Sequence, residues 1–279
     1  MTHSPALYRY AVLVALCGLL LLIDGALVTG DTAATPPAAP GFAELVHPWA
    51  GAALSVLTLI LAIWIVRSDA GPGLRPLAAI LLVLLVQGGL GSGGGMAALS
   101  PWAGTAHAVQ AQLFFAGAVA MVVCTSPGWQ RAPELVEDYG WPSLRSLAIS
   151  TPVVLLLQVF LGAALRHRAM GALSHIGFAM VAALWVMFKC ICVIQQFPKH
   201  RALRPLANAL LAVTFTQVFL GIGSFTLRTM DVTGPAVAAT TAAHVATGAI
   251  TLAVAVALSI HIRRNVMPKG SLRPFSEYL

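Results

Sequence analysis

Eight apolar stretches, each long enough to cross a bilayer, dominate this chain of 279 residues. A spanning helix needs about 20 mostly apolar residues, and segments of this length satisfy their backbone polar groups in lipid by forming helices. Only 9% of the residues are charged and the mean hydropathy is +0.86, whereas a soluble domain carries about a quarter charged residues. We predict an all-α integral membrane protein with transmembrane helices at roughly 8–29, 46–66, 74–96, 104–125, 144–165, 172–196, 204–227 and 238–262.

The basic residues are distributed unevenly between alternate loops. The termini and the even-numbered loops hold most of them, while the odd-numbered loops hold only Arg166, Arg168 and Arg228. By the positive-inside rule this pattern places both termini in the cytoplasm. The formal net charge of +7 is therefore a signal of topology, and we expect membrane lipid rather than nucleic acid around the protein.

The two halves of the sequence resemble each other. The pattern Gln-x-x-Leu-Gly occurs at 87–91, 158–162 and 217–221, towards the outer ends of spans three, five and seven. Because each half has an even number of spans, the halves share one orientation and are related by an axis along the membrane normal. We predict two tandem four-helix bundles with pseudo-twofold symmetry. Their limits are 1–126 for the N-terminal half, 127–143 for a cytoplasmic linker, 144–265 for the C-terminal half and 266–279 for a cytoplasmic tail.

Four histidines lie a few residues into the outer ends of the even-numbered spans: His47, His107, His175 and His244. An ionisable residue inside the bilayer marks a functional site by default, and histidine is a usual ligand of haem iron. Since four-helix bundles build cofactor sites from facing helices, we predict one pair of haem ligands in each half. For any single histidine, a structural, hydrogen-bonded role is the alternative. Zinc is less favoured, because the close Cys, Asp or Glu spacing of its ligands is absent.

An acidic residue precedes one of these histidines at helical spacing. Glu44 lies three residues before His47, and the two histidines of the second half have no acidic residue at that position. A carboxylate beside one haem site would relay a proton or stabilise charge that develops on a substrate. The alternative is a solvated loop acid, which Pro48 favours because proline disfavours helix at the residue before it.

Three basic residues inside or beside the spans have further interpretations. Arg166 and Arg168 follow span five on the outer face, where they would pair with haem propionates because guanidinium groups favour carboxylates. They are otherwise ordinary loop charges. Lys189 lies inside span six, and we expect its long side chain to extend to the cytoplasmic surface.

These motifs together resemble the haem A synthase family. Residues 44–47 (Glu-Leu-Val-His) are similar to the Glu-x-x-His motif of its second helix, and residues 25–29 and 161–167 are similar to the segments that close its first and fifth helices. The resemblance extends from Gly25 to about His261, and the duplicated frame with four placed histidines makes it specific.

The resemblance implies a haem-dependent oxidoreductase that converts the C8 methyl of haem O into a formyl group by successive hydroxylations. It implies that His47 and His107 bind the substrate haem O, that Glu44 is catalytic, and that His175 and His244 bind a haem B cofactor. It further implies haem A biosynthesis for cytochrome oxidase assembly in a bacterial cytoplasmic membrane, with haem O synthase and terminal oxidase subunits as partners. Two alternatives would use the same histidines: a quinol-linked di-haem b electron-transfer protein and a haem-binding oxidase-assembly factor without turnover.

Overall fold

The structure, a computed structural model, describes residues 4–28, 42–68, 73–92 (with side chains to Gly89), 100–232 and 234–271. This part of the chain is almost entirely helical. The first helices are α1 (Pro5–Val28), α2 (Phe42–Arg67), α3 (Leu74–Ser92) and α4 (Pro101–Thr125), followed by the single turn α5 (Pro127–Gln130). Four long helices then complete the fold: α6 (Leu144–Arg166), α7 (Ala172–Gln196), α8 (Leu203–Thr229) and α9 (Pro235–Asn265).

Seven of these helices are long and apolar enough to cross a membrane, namely α1, α2, α4 and α6 to α9. The apolar part of α3 with described side chains, Leu74–Gly89, is shorter. Residues 93–96 of the third predicted span lie outside the described residues. By length and composition the chain is a helical integral membrane protein, as predicted.

Helix packing follows the order of the chain. In the first four helices, α1 and α3 each contact both α2 and α4, and in the last four, α6 and α8 each contact both α7 and α9. The two sets meet through contacts of α4 with α6 and α9, and of α1 with α9. We call α1–α4 the first half and α6–α9 the second half.

Buried apolar side chains form three clusters that agree with this packing. One lies within the first half and includes Leu61, and a second lies mainly within the second half and includes Val186. The third joins the halves through Leu22 of α1, Phe115 of α4, and Ala249 with Ala253 of α9. Small side chains such as these alanines let helix backbones approach closely in lipid.

The segment between the halves is folded against the end of α9. Strand β1 (Val136–Asp138) pairs in parallel with β2 (Val266–Pro268), with Val136 opposite Val266. The carboxylate of Asp138 also accepts a hydrogen bond of 2.6 Å from the backbone N–H of Leu144, at the start of α6. The sequence predicted a linker and a tail here, and the paired strands were not predicted.

Candidate functional site: two pairs of imidazoles

The structure brings the four candidate histidines together as two pairs. His47 of α2 and His107 of α4 have ring centroids 6.4 Å apart. His175 of α7 and His244 of α9 have ring centroids 6.3 Å apart. All four lie in the N-terminal parts of their helices, so each half contains one pair between its second and fourth helices.

Three of the imidazoles pack directly on a glycine of the preceding helix. A Cβ atom at Gly25 would lie 2.9 Å from Cε1 of His47, and one at Gly162 would lie 2.8 Å from Cε1 of His175. At Gly221 the corresponding distance to Cε1 of His244 is 2.9 Å. Since real Cβ atoms do not approach this closely, each of these glycines leaves the space that its imidazole occupies.

Glutamine amides contact both imidazoles of the second half. Nε2 of Gln158 lies 3.0 Å from Nδ1 of His175, and it also donates to the backbone carbonyl of His175 over 3.2 Å. The ring of His244 contacts Gln217 twice, with Nδ1 3.1 Å from its backbone oxygen and Nε2 3.3 Å from its amide nitrogen. The side-chain oxygens of both glutamines are buried without a hydrogen-bond partner among the described residues. Rotation of either amide would therefore present an acceptor to its histidine instead of a donor.

A carboxylate takes this place in the first half. Oδ2 of Asp24 lies 2.9 Å from Nδ1 of His47, and both side chains are about one-fifth exposed. Sequence reasoning did not identify Asp24 as a site residue. The sequence did contain a signal for Asp24, since it is the one acidic residue in the apolar sequence of α1. Acidic residues within spans are functional candidates.

His107 differs from the other three histidines. Its Nδ1 is buried and has no hydrogen-bond partner in the part of the chain that the structure describes. Its neighbour is His167, which directly follows α6 and packs so tightly on Gly104 of α4 that a Cβ there would overlap its ring. Burial, with Arg166 and His107 nearby, lowers the pKa of His167 below its ordinary value. A residue of the second half thus lies beside the first pair, in surroundings that disfavour its charged form.

The third copy of the glutamine motif is described only in part. Gln87 lies on α3 with an exposed side chain. The side chains at 90 and 91, which complete the motif, lie outside the described ones. The role of this copy beside His107 therefore stays a prediction.

Glu44 lies in the first turn of α2, three residues before His47. Residues at this spacing share one side of a helix. Pro48 lies within the same helix, so Glu44 belongs to a helix and not to the loop of the alternative interpretation. Pro48 is the seventh residue of α2, so this helix lacks the N–H bond that would run from that position to the carbonyl of Glu44, and it still continues through the proline. The half-buried carboxylate of Glu44 is thus fixed on the helix that carries His47.

The two candidate propionate-binding arginines have different environments. Arg166 is largely buried, and its Nη2 donates to the backbone carbonyl of Ala26 in the first half. Its guanidinium also acts electrostatically on His244 and Arg228. Arg168 is exposed and has a left-handed backbone conformation with φ of 59°. Arg166 therefore lies between the halves, while Arg168 faces outwards.

Lys189 does not reach the surface. Its side chain is completely buried, and Nζ donates a hydrogen bond of 2.9 Å to Oγ of Ser259 on α9. The expectation that it extends to the cytoplasmic surface is wrong. A buried polar partner on the facing helix holds the amine inside the second half, because an amine left unpaired in an apolar environment is costly.

The spacing of both pairs fits a haem. A metal–imidazole bond is about 2 Å long and the ring centroid lies about 1 Å beyond the nitrogen, so two imidazoles on opposite sides of one iron have centroids about 6 Å apart. Haem iron needs no more than two ligands from the protein, which two imidazoles would supply. In the described part of the chain, no group of three or more His, Cys, Asp or Glu residues is placed to hold a metal ion.

Comparison with known proteins adds no family to this description. Neither a family model nor a curated protein matches the sequence.

Proposed function

We propose that this chain is a membrane oxidoreductase of the haem A synthase type, which converts the C8 methyl of haem O into a formyl group. The observation that carries the proposal is the unequal charge around two equally spaced imidazole pairs. Asp24 contacts the first pair and Glu44 lies on the same helix as one of its rings, whereas the second pair contacts neutral amides. This difference supports a substrate site in the first half and a cofactor site in the second.

The proposed architecture has eight spans in two tandem four-helix bundles, related by a pseudo-twofold axis along the membrane normal. It is supported by the equivalent helix contacts within the two halves and by the equal placement of the histidine pairs. The distribution of basic residues supports cytoplasmic termini and haem sites towards the outer face. A bacterial cytoplasmic membrane is the proposed location, with haem O synthase and terminal oxidase subunits as proposed partners.

Each histidine pair has its own role in this proposal. His47 and His107 hold the substrate haem O through its iron, and the glycine packing at His47 fixes the direction of that ring. His175 and His244 hold haem B, which supplies one-electron redox chemistry when bound. The protein itself contributes orientation and exclusion of water, because both ring pairs lie between packed helices.

Glu44 is the proposed catalytic residue. Each of two hydroxylations replaces a C–H bond of the methyl group by a C–OH bond, with one oxygen atom from an external two-electron oxidant. The resulting geminal diol loses water and becomes the formyl group. A carboxylate in the first turn of α2 is placed to accept and return protons as these hydroxyl groups form and as water leaves.

Arg166 and Arg168 are proposed to contact haem propionates. Guanidinium groups bind carboxylates through paired, charge-assisted hydrogen bonds. The electrostatic effect of Arg166 on His244 supports a role at the second site. Arg168, exposed at the end of α6, would meet a propionate at the surface.

One observation favours a second candidate function. The two pairs have nearly equal spacing, and equal bis-imidazole sites would suit a quinol-linked di-haem b protein that transfers electrons. In that protein Glu44 would have no chemical role. A haem-binding oxidase-assembly factor without turnover would likewise need the histidines alone.

Co-expression with a source of haem O separates these functions. The extracted haems are resolved by chromatography and identified by mass. The proposal expects hydroxylated and formylated haem in cells with the chain and none in cells without it. A haem-loaded protein that yields no oxidised product would overturn the enzymatic function and leave the two binding functions.

A further inference from the structure

The contact between Asp24 and His47 distinguishes the two haem sites in a way that the repeat does not predict. The glutamines that contact the second pair lie four residues before the glycines on which the rings rest, at positions 158 and 217. The residue four before Gly25 is Leu21, and Asp24 instead directly precedes that glycine. Asp24 therefore reaches His47 from a position on α1 that does not correspond to the positions of Gln158 and Gln217 on their helices.

The chemistry of a carboxylate fixes the tautomer of His47. An ionised carboxylate only accepts hydrogen bonds, so Nδ1 of His47 donates the 2.9 Å bond to Asp24. The lone pair then lies on Nε2, where a metal would bind. The side-chain amide of Gln158 can present either its donor or its acceptor to His175. At His244 the backbone oxygen of Gln217 only accepts, so it favours the same tautomer as Asp24 does at His47, without adding a charge.

The charge of the carboxylate also acts on the iron. A carboxylate hydrogen-bonded to a ligating imidazole raises the basicity of that ligand and holds its orientation. Ferric iron carries one more positive charge than ferrous iron, so a nearby anion stabilises the oxidised state. In this largely apolar environment the effect is screened less than in water. The neutral amides of the second half provide no such charge.

We propose that Asp24 is a positioning residue that fixes the metal-binding tautomer of His47 and lowers the reduction potential of the first haem site below that of the second. This inference rests on the proposed function in that it takes both pairs to be haem sites. It gives electrons a favourable direction, from iron in the first half to iron in the second. Equal potentials would follow if the two sites were tuned only by their paired imidazoles and glycines, because these are alike in the two halves.

The test uses the full chain with His175→Ala, which leaves the first pair as the site for added haem B. Haem content, the ferric low-spin electron paramagnetic resonance signal and the midpoint potential are measured for this parent and for Asp24→Asn in the same background. We expect Asp24→Asn to bind haem and to shift its ferric–ferrous equilibrium about tenfold towards ferrous, a rise of about 60 mV for one electron. Asp231→Asn is the charge control, because Asp231 is an exposed loop acid in the left-handed conformation that Asn tolerates.

Each other outcome is decisive. An unchanged potential in haem-loaded Asp24→Asn would overturn the inference, and so would an equal shift in Asp231→Asn. If Asp24→Asn loses haem but Asp24→Glu retains it at the parent potential, the carboxylate positions the ligand as proposed. Loss of haem from both variants would assign Asp24 to packing and overturn the inference. If the His175→Ala parent itself binds no haem, the proposed function is wrong. This result is distinguishable, because the parent is measured before Asp24 is changed.

Discussion

The imidazole pair of the first half and that of the second half are alike in spacing and unlike in charge. Their ring centroids differ in separation by only 0.1 Å, 6.4 Å against 6.3 Å, and glycines support rings in both. The carboxylate of Asp24 contacts His47 in the first half, whereas the amides of Gln158 and Gln217 contact the rings of the second half. The two halves thus share the spacing of their imidazole pairs, while the side chains beside those pairs differ, and on the proposed function this difference gives the two sites different chemistry.

The largest expected effect concerns Glu44. Glu44→Gln keeps the size of the side chain and removes its charge, so the first site should stay occupied while formation of oxidised haem falls by about 10²–10⁴. Product per bound haem in the co-expression assay measures this effect, with Asp231→Asn as a control that removes an exposed acid. Normal turnover in Glu44→Gln would show that Glu44 has no catalytic role and is an ordinary acid at the membrane interface. Loss of haem would make it a structural residue.

The glycine supports predict effects confined to one site each. In Gly162→Ala the new Cβ would lie 2.8 Å from Cε1 of His175, and in Gly25→Ala it would lie 2.9 Å from Cε1 of His47. Displacement of the ring should weaken haem binding about 10–100-fold. Gly162→Ala should affect the site of His175 and His244, and Gly25→Ala should affect the site of His47 and His107. Haem titration of the purified protein measures both affinities.

Gly177→Ala is the control for these glycine changes. A Cβ at Gly177 of α7 meets no atom within 4 Å, and alanine is favoured over glycine in helices. Haem binding in this variant should be unchanged. An equal loss of affinity in Gly177→Ala, or loss of both sites from one glycine change, would contradict the account of separate supports.

The smallest expected effect concerns Lys189, a buried amine in the second half at the position where the first half has a buried leucine. Lys189 lies fourteen residues after His175, and Leu61 lies fourteen after His47. Both side chains are almost completely buried. Ser259→Ala removes the partner of Lys189 and should cost about 1–3 kcal/mol of the free energy of unfolding in detergent. Lys189→Leu introduces the residue type that the first half has at the equivalent position, Leu61. It should leave the free energy of unfolding unchanged or increase it, with haem content unchanged.

Ser55→Ala is the control for this comparison, because the hydroxyl of Ser55 donates to the carbonyl of Gly51 within its own helix. Equal costs for Ser55→Ala and Ser259→Ala would show that the Lys189–Ser259 bond contributes nothing specific. Loss of turnover in haem-loaded Lys189→Leu would instead assign the amine a part in the reaction.

Seven of the eight predicted membrane helices are long and apolar enough to span lipid in the structure, because length and apolar composition are readable from the sequence. The α7 boundaries, Ala172–Gln196, are those predicted, and the other long helices described in full begin or end within a few residues of the prediction. The placement of the histidines at one end of alternate helices was also visible in the sequence. Their pairing across a bundle follows from helix packing.

Other features depend on contacts that periodicity does not show. Asp24 meets His47 across two helices, and Lys189 meets Ser259 in the same way. Strands β1 and β2 are three residues each and lie far apart in the chain, so neither has enough length to show an alternating pattern. The local preference of Pro48 favoured a loop at Glu44 only as an alternative, and α2 includes both residues.

The most direct test of the account is the number of haems bound per chain in the full-length protein and in variants of each pair. The wild-type chain should bind two haems, while His175→Ala and His47→Ala should each bind one and retain the haem of the intact pair. Haem is quantified as the pyridine adduct against protein concentration, and helical content by circular dichroism verifies folding. Loss of both haems from a folded single variant, or retention of both, would contradict the assignment of one haem to each imidazole pair.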